Sequence, residues 1–168
     1  CKELKSIEFM SNENLLEIGK SAFNSCGIEK IKIPDSVEIL EEGWCNKTYG
    51  LKKIIISAHN RYFKYADEKR HILIGKSDKK SENFDVLVFA KRSIKSVKIP
   101  VYITRIAPYA FDNCLNLKYI EIPENSLLQS IGKNAFTYSS INNIFIPSCV
   151  ELLEDGWLCR RSDKLKIK

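Results

Sequence analysis

Glycine, lysine and serine stand together twice, as Gly19-Lys20-Ser21 and Gly75-Lys76-Ser77, and this triplet is how a phosphate-binding loop ends. Nucleotide binding also needs a glycine five residues upstream, so that backbone N–H groups converge on phosphate oxygens with no Cβ in the way. Those positions hold Asn14 and Arg70, so neither triplet closes a nucleotide site. The paired acids Glu41-Glu42 and Glu154-Asp155 could suggest acid–base catalysis. No nucleophile or base recurs beside them, so a solvated turn is the preferred explanation and catalysis is not supported. The six cysteines include no Cys-x-x-Cys pair, and the two histidines, His59 and His71, are not at ligand spacing. No metal, cofactor or catalytic residue is expected.

The triplets recur because the whole chain does. Six segments share the pattern apolar-x-x-apolar-x-apolar: 4–9, 28–33, 51–56, 94–99, 117–122 and 141–146. A second phrase, ending in Ala-Phe and a few small or polar residues, follows at 15–26, 103–114 and 128–139. The last apolar residues of the first phrase are separated by 24 (Phe9 to Ile33), 23 (Ile33 to Ile56), 23 (Ile99 to Ile122) and 24 residues (Ile122 to Ile146). A fixed period in the twenties is the signature of a leucine-rich-repeat solenoid. A shift of 113 places Leu4 on Leu117 and Trp44 on Trp157, with 21 of the 41 positions from 4 to 44 identical. Cys1 then falls on Cys114, inside a phrase, so the chain reads as a segment of a longer array.

In the first phrase the last two apolar residues are two apart, so they point to one side of a short strand and the residues between them to the other. Parallel rungs about 4.8 Å apart would stack into a sheet of roughly 30 Å. Pro34, Pro100, Pro123 and Pro147 follow immediately, where a missing N–H ends the ladder. Gly19 and Gly132 are expected to supply a backbone bend. Phe23, Phe111 and Phe136 should pack inward from a short helical turn on the convex side. Trp44 and Trp157 are read as replacing that Phe, in core slots rather than ligand-stacking ones.

These phrases resemble the BspA-like, or Treponema-type, leucine-rich repeats. The residues that carry the resemblance run from Ile18-Gly19 through Ala22-Phe23 to Cys26, from Ile33-Pro34 to Val37, from Ile106 through Ala110-Phe111 to Cys114, and from Ile131-Gly132 to Ala135-Phe136. The resemblance implies an α/β leucine-rich-repeat right-handed solenoid with short parallel strands on its concave face. It implies no enzymatic activity, and it points to adhesion to host proteins and cells at the surfaces of mucosal bacteria and protist parasites.

Residues 57–93 break the period, since Ile56 to Ile99 spans 43 residues. Three short apolar runs there, separated by polar segments, predict an inserted antiparallel β-hairpin element that continues the sheet. The domain organisation is therefore 1–56 as a first repeat block, 57–93 as the insertion and 94–168 as a second block, in one continuous solenoid. The net charge is +6, and the insertion supplies +4 of it from nine Lys or Arg and five Asp or Glu. Acids interleave with its lysines, as in a soluble loop, which disfavours nucleic acid; for the net positive charge an acidic protein or polyanionic glycan is the expected partner. Cys26 and Cys114 share one repeat position, while Cys45 and Cys159 follow the two tryptophans. Such recurrence favours buried thiols over a disulfide framework. The sequon Asn46-Lys47-Thr48 points the other way, towards an extracellular protein. No apolar run approaches the ~20 residues of a membrane span.

On each rung the third and fifth residues of the first phrase face away from the core. Most are polar. Ile55, Tyr119 and Phe145 are not, and they share the face with Lys30, Lys32, Lys53 and Lys98. These seven residues form the candidate protein-binding face, with apolar anchors and cationic steering. The leading reading is a non-enzymatic binding module from a cell-surface adhesin. The alternative is an intracellular scaffold docked on an acidic assembly such as the cytoskeleton, which free thiols would favour.

Overall fold

The structure, a computed structural model, describes residues 1–9 and 14–158 and the backbone of 166–167. Each repeat contributes two short strands. Those of the first phrase are β1 (Ser6–Ile7), β3 (Lys30–Ile33), β5 (Lys53–Ile56), β9 (Ser96–Lys98), β11 (Tyr119–Glu121), β13 (Asn143–Ile144) and β15 (Lys166–Ile167). Those of the second phrase are β2 (Glu17–Ile18), β4 (Ile39–Leu40), β10 (Arg105–Ile106), β12 (Ser130–Ile131) and β14 (Leu152–Leu153). The insertion adds β6 (Phe63–Tyr65), β7 (Ile72–Gly75) and β8 (Val86–Ala90).

Equivalent strands stack in parallel, as a period in the twenties requires. Ile7, Ile31 and Ile54 are register partners across β1, β3 and β5, and Ile33 partners Ile56. Ile31 and Ile33 are fully buried while Lys32 between them is exposed, the alternation that one-sided packing of a strand demands. The first-phrase strands form two sheets, β1-β3-β5 and β9-β11-β13-β15. The second-phrase strands form β2-β4 and a six-stranded sheet ordered β14-β12-β10-β8-β7-β6. The insertion therefore joins the second-phrase sheet. There β8 is a parallel partner of β10, while β6, β7 and β8 pair antiparallel.

The insertion is a wall with a core on each side. Leu73 and Phe89 are register partners and pack into the first block's core with Phe63, Trp44 and Ile54. Ile74 and Leu87, also partners, pack into the second block's core with Ile106 and Phe111. All four residues of β7 are buried, as expected of a strand covered on both faces. A register shift between Leu73 and Ile74 leaves Val88 as an extra residue in β8. That bulge re-phases the strand so that each cross-strand pair shares one core. Asn60 ties the wall to the first block: its Nδ2 donates to the carbonyls of Pro34 (2.7 Å) and Val37 (2.9 Å), and its Oδ1 accepts from the backbone N–H of Tyr62 and Phe63.

The convex side departs from expectation. Among the described residues there is no helix, and the Ala-Phe phrases run through turns. The tight path is made by left-handed residues at two recurrent positions, Ser21, Tyr109 and Asn134, then Ser25, Asn113 and Tyr138. Gly43 and Gly156 take the first of these positions in the tryptophan repeats. The inter-turn bonds also correct the place of the tryptophans. Phe23 N–H donates to the Trp44 carbonyl and Phe136 N–H to that of Trp157, which sets Cys45 and Leu158 opposite the Phe positions. Trp44 and Trp157 stand where other turns carry Ala. Small-then-large becomes large-then-smaller, and each tryptophan meets the neighbouring turn's Phe edge-on, at 6.3 Å and 81° for Trp44 with Phe23 and 6.3 Å and 82° for Trp157 with Phe136.

Gly19 and Gly132 also differ from the expected bend, since neither has a left-handed φ. A Cβ on Gly132 would lie 2.6 Å from the backbone nitrogen of Pro108 in the turn above, whereas one on Gly19 would meet nothing within 4 Å. Gly132→Ala is accordingly expected to destabilise the fold by about 1–3 kcal/mol. Gly19→Ala should be neutral or stabilise by up to about 1 kcal/mol through the unfolded chain. Urea midpoints of the two variants check this, and equal effects would refute the close-approach account.

Candidate protein-binding face

Register brings the predicted face together in two parts. Lys30 partners Lys53, and Lys32 partners Ile55, on adjacent strands β3 and β5. Lys98 partners Glu121 across β9 and β11, Tyr119 partners Asn143, and Phe145 lies two residues further on. Tyr119 is 68% and Phe145 51% exposed, while Ile55 is half-buried. The two parts belong to different sheets. The turn between β6 and β7 stands between them: Lys69 lines one groove with Lys53 and Ile54 and another with Ser96 and Lys98.

The cations are not equivalent. Lys30 Nζ lies 2.7 Å from Glu8 and Lys98 Nζ 2.6 Å from Glu121. The Lys30 ammonium, by hydrogen bond and by charge, holds the Glu8 carboxyl below the ordinary carboxylate range. Exposed pairs of this kind add little stability, but they cancel much of the charge that Lys30 and Lys98 would present. Lys32 and Lys53 have no carboxylate at ion-pair distance among the described residues and carry the free positive charge of the first part. Sequence reasoning missed this division, because Glu8 and Glu121 become neighbours of those lysines only through stacking.

The chemistry suggested by other residues is occupied from within. Ser77 N–H and Oγ, which a phosphate loop would point at its ligand, donate to the Asp85 carboxylate at 2.9 and 2.7 Å. Partial burial pushes Asp85 up, but the hydrogen bonds from Ser77 and Thr104 outweigh it and leave its pKa lowered. Lys20 pairs with Glu42 at 2.7 Å, and Glu154 accepts the Lys133 N–H, so these acids knit successive turns. Asn46 is only 7% exposed and Thr48 is buried, so the folded chain does not present the sequon. Among the described residues no group of acids, cysteines and histidines could hold a metal ion, and no helix is long and apolar enough to cross a membrane. Cys159 lies outside the described residues.

Cys45 and Cys114 are buried thiols, whereas Cys26 and Cys149 are half-buried and Cys1 is exposed. Burial pushes both interior thiols from 9.0 to about 11, against an opposing effect of the Arg92 guanidinium. Unfolded, they would ionise near 9. Between these values the folded chain holds more protons, so their contribution is full below about pH 9 and is lost as pH rises towards 11. The urea midpoint should therefore fall over this range, and less steeply in Cys45→Ala/Cys114→Ala. Parallel declines in the two proteins would overturn the assignment.

The family comparison agrees with this geometry. Residues 1–68 and 82–167 match the BspA type leucine rich repeat region, in six copies. A leucine-rich repeat protein of Eubacterium ventriosum superposes with a TM-score of 0.69 at 26% identity, over 82% of this chain and 35% of that one. The pneumococcal vaccine antigen PcpA gives 0.69 at 21% identity, over 90% and 42%. A leucine rich cell surface protein of Faecalibacterium prausnitzii gives 0.64 at 19%, over 88% and 43%. The chain thus spans less than half the length of these structures. No curated protein matches it. Stacked parallel rungs, two strands per turn and six copies of the matched repeat together establish that the chain belongs to the BspA-type leucine-rich-repeat family.

Proposed function

We propose that this chain is a non-enzymatic protein-binding module, a segment of a cell-surface adhesin that engages host or neighbouring-cell proteins through the first-phrase strands. The observation that carries this reading is the exposure of Tyr119 and Phe145 on adjacent rungs, at 68% and 51%. Nothing in the repeat requires an aromatic residue there, and aromatics with a polar surround are the usual anchors of protein interfaces. Lys32, Lys53 and half-buried Ile55 supply charge and apolar area on the other first-phrase sheet, and Lys30 and Lys98, each held in an ion pair, complete the face. Two structural neighbours, described as a cell surface protein and a vaccine antigen, support a surface location.

The test is the triple variant Lys32→Ala/Tyr119→Ala/Phe145→Ala, measured as fluorescent protein binding to intact and trypsin-treated epithelial cells. All three side chains are exposed, so the thermal midpoint should be unchanged. Half-saturation on intact cells should require about tenfold more variant, and trypsin should abolish wild-type binding. Equal binding by variant and wild type would reject the face.

A second reading follows from the cysteines, since the five within the described residues are unpaired. It makes the chain an intracellular scaffold docked on an acidic assembly. Thiol titration and mass analysis of Asn46 in the native protein separate the two: disulfides or an Asn46 glycan exclude the scaffold.

A further inference from the structure

We propose that the cleft between the first repeat block and the insertion binds a linear sulfated polysaccharide. The cleft, of about 360 Å³, is lined by Lys52, Lys53, Lys69, Arg70 and Lys91, with Tyr65 and Phe89 between them. No carboxylate lines it. Elsewhere on this surface lysines do find acids, as Lys20, Lys30, Lys79 and Lys98 each pair within 2.8 Å. Within the cleft only Lys52 does, with Glu29 at 2.7 Å; among the described residues Lys53, Lys69, Arg70 and Lys91 have no such partner. Folding thus gathers four unpaired cations from three places in the chain, which disfavours the compact state until an anion arrives.

The cleft continues. A second groove of about 510 Å³ shares Lys52 and Lys91 and adds Ser93, Asn116, buried Arg92 and the ring of Tyr49, which is 64% exposed. Cations at one end and a neutral amide, a hydroxyl and an open ring at the other suit a polymer that carries both sulfates and hydroxyls. Four of the five cations are lysines, point charges on flexible stems that tolerate irregularly spaced sulfates, whereas planar carboxylates favour the bidentate fork of arginine. Bases of a nucleic acid would need free aromatic faces. The Tyr65 ring has Arg70 at 5.9 Å and its hydroxyl donates to the Ile54 carbonyl, and Phe89 is buried with Arg92 at 4.4 Å.

This inference rests on residues outside the proposed protein-binding face except for Lys53, so the test spares Lys53. A heparin-derived octasaccharide is titrated calorimetrically into the intact chain at about 0.15 M salt. Lys69→Glu/Lys91→Glu should weaken binding at least about tenfold, and the milder Lys69→Gln/Lys91→Gln should weaken it in the same direction. Lys80→Glu/Lys118→Glu, which changes the net charge equally but lies elsewhere, should stay within about twofold. Heparin should raise the thermal midpoint of the wild type and not of the cleft variants. No wild-type binding, equal loss in both glutamate pairs, or equal affinity for unsulfated heparosan would overturn the proposal. Tighter binding of polyglutamate or a single-stranded oligonucleotide would also overturn it, assigning the cleft to an acidic peptide or a nucleic acid. Retained heparin binding in Lys32→Ala/Tyr119→Ala/Phe145→Ala supports the cleft, and loss there alone would move the anion to the strand face.

Discussion

Phe111→Ala is expected to destabilise the protein by about 3–5 kcal/mol, read as a shift of the urea midpoint with an unchanged slope. Phe111 and Phe136 are fully buried and stack between successive turns, with centroids 4.8 Å apart and planes at 16°. The same turn makes inter-turn backbone bonds, Phe111 N–H to Ala135 O at 2.7 Å and Asn113 N–H to Thr137 O at 2.8 Å. Removing the ring leaves a cavity the turns cannot close without breaking those bonds, and the loss exceeds simple transfer of the ring to water. Leu152→Ala makes the contrast, because Leu152 is half exposed and should change stability by less than about 1 kcal/mol. Similar losses for the two would show that ring stacking between turns does not carry the core.

The second large effect concerns the insertion. Leu73→Ala and Ile74→Ala should each cost about 2–5 kcal/mol, although the two residues are adjacent and face opposite cores. If β7 and β8 form a shared wall, loss on either side loosens the support of both blocks. Each variant should then unfold in one transition with the wild-type slope. Two transitions in either variant, or a cost below about 1 kcal/mol at either position, would mean that the blocks stand independently and the insertion only decorates them. Direct contacts across the blocks favour the single transition: Lys47 N–H donates to buried Asp112 at 2.8 Å, and Arg92 reaches both the Ala110 carbonyl and Cys45 Sγ.

Much of this was legible in the residues. Ile31 and Ile33 announced an inward face by their spacing and Lys32 an outward one, because a strand turns its side chains over every residue. Repetition then removed ambiguity about topology, since copies of one short unit can bury their apolar edges only against each other. The position of the tryptophans was misread, because Gly43-Trp44 looks like a one-residue substitution for Ala-Phe. Only the inter-turn bonds reveal that Trp44 is in register with Ala. Gly132 was singled out correctly for the wrong property: its need is space beside Pro108 rather than a left-handed φ, and sequence carries no distance to a neighbouring turn. Asn60, Arg92 and Asp112 were missed altogether. Each is a single polar residue that ties down a backbone group 18 to 65 residues away.

The residues alone determined the rung, its period, its buried and exposed sides and the family to which the chain belongs, because these follow from local chemistry repeated at fixed intervals. Only the folded chain decided that the insertion becomes a wall with two cores, that Lys30 and Lys98 spend their charge on Glu8 and Glu121, and that five cations from 52–53, 69–70 and 91 converge on one cleft. Those outcomes depend on which distant segments stack side by side, a property of packing that no single stretch of residues contains.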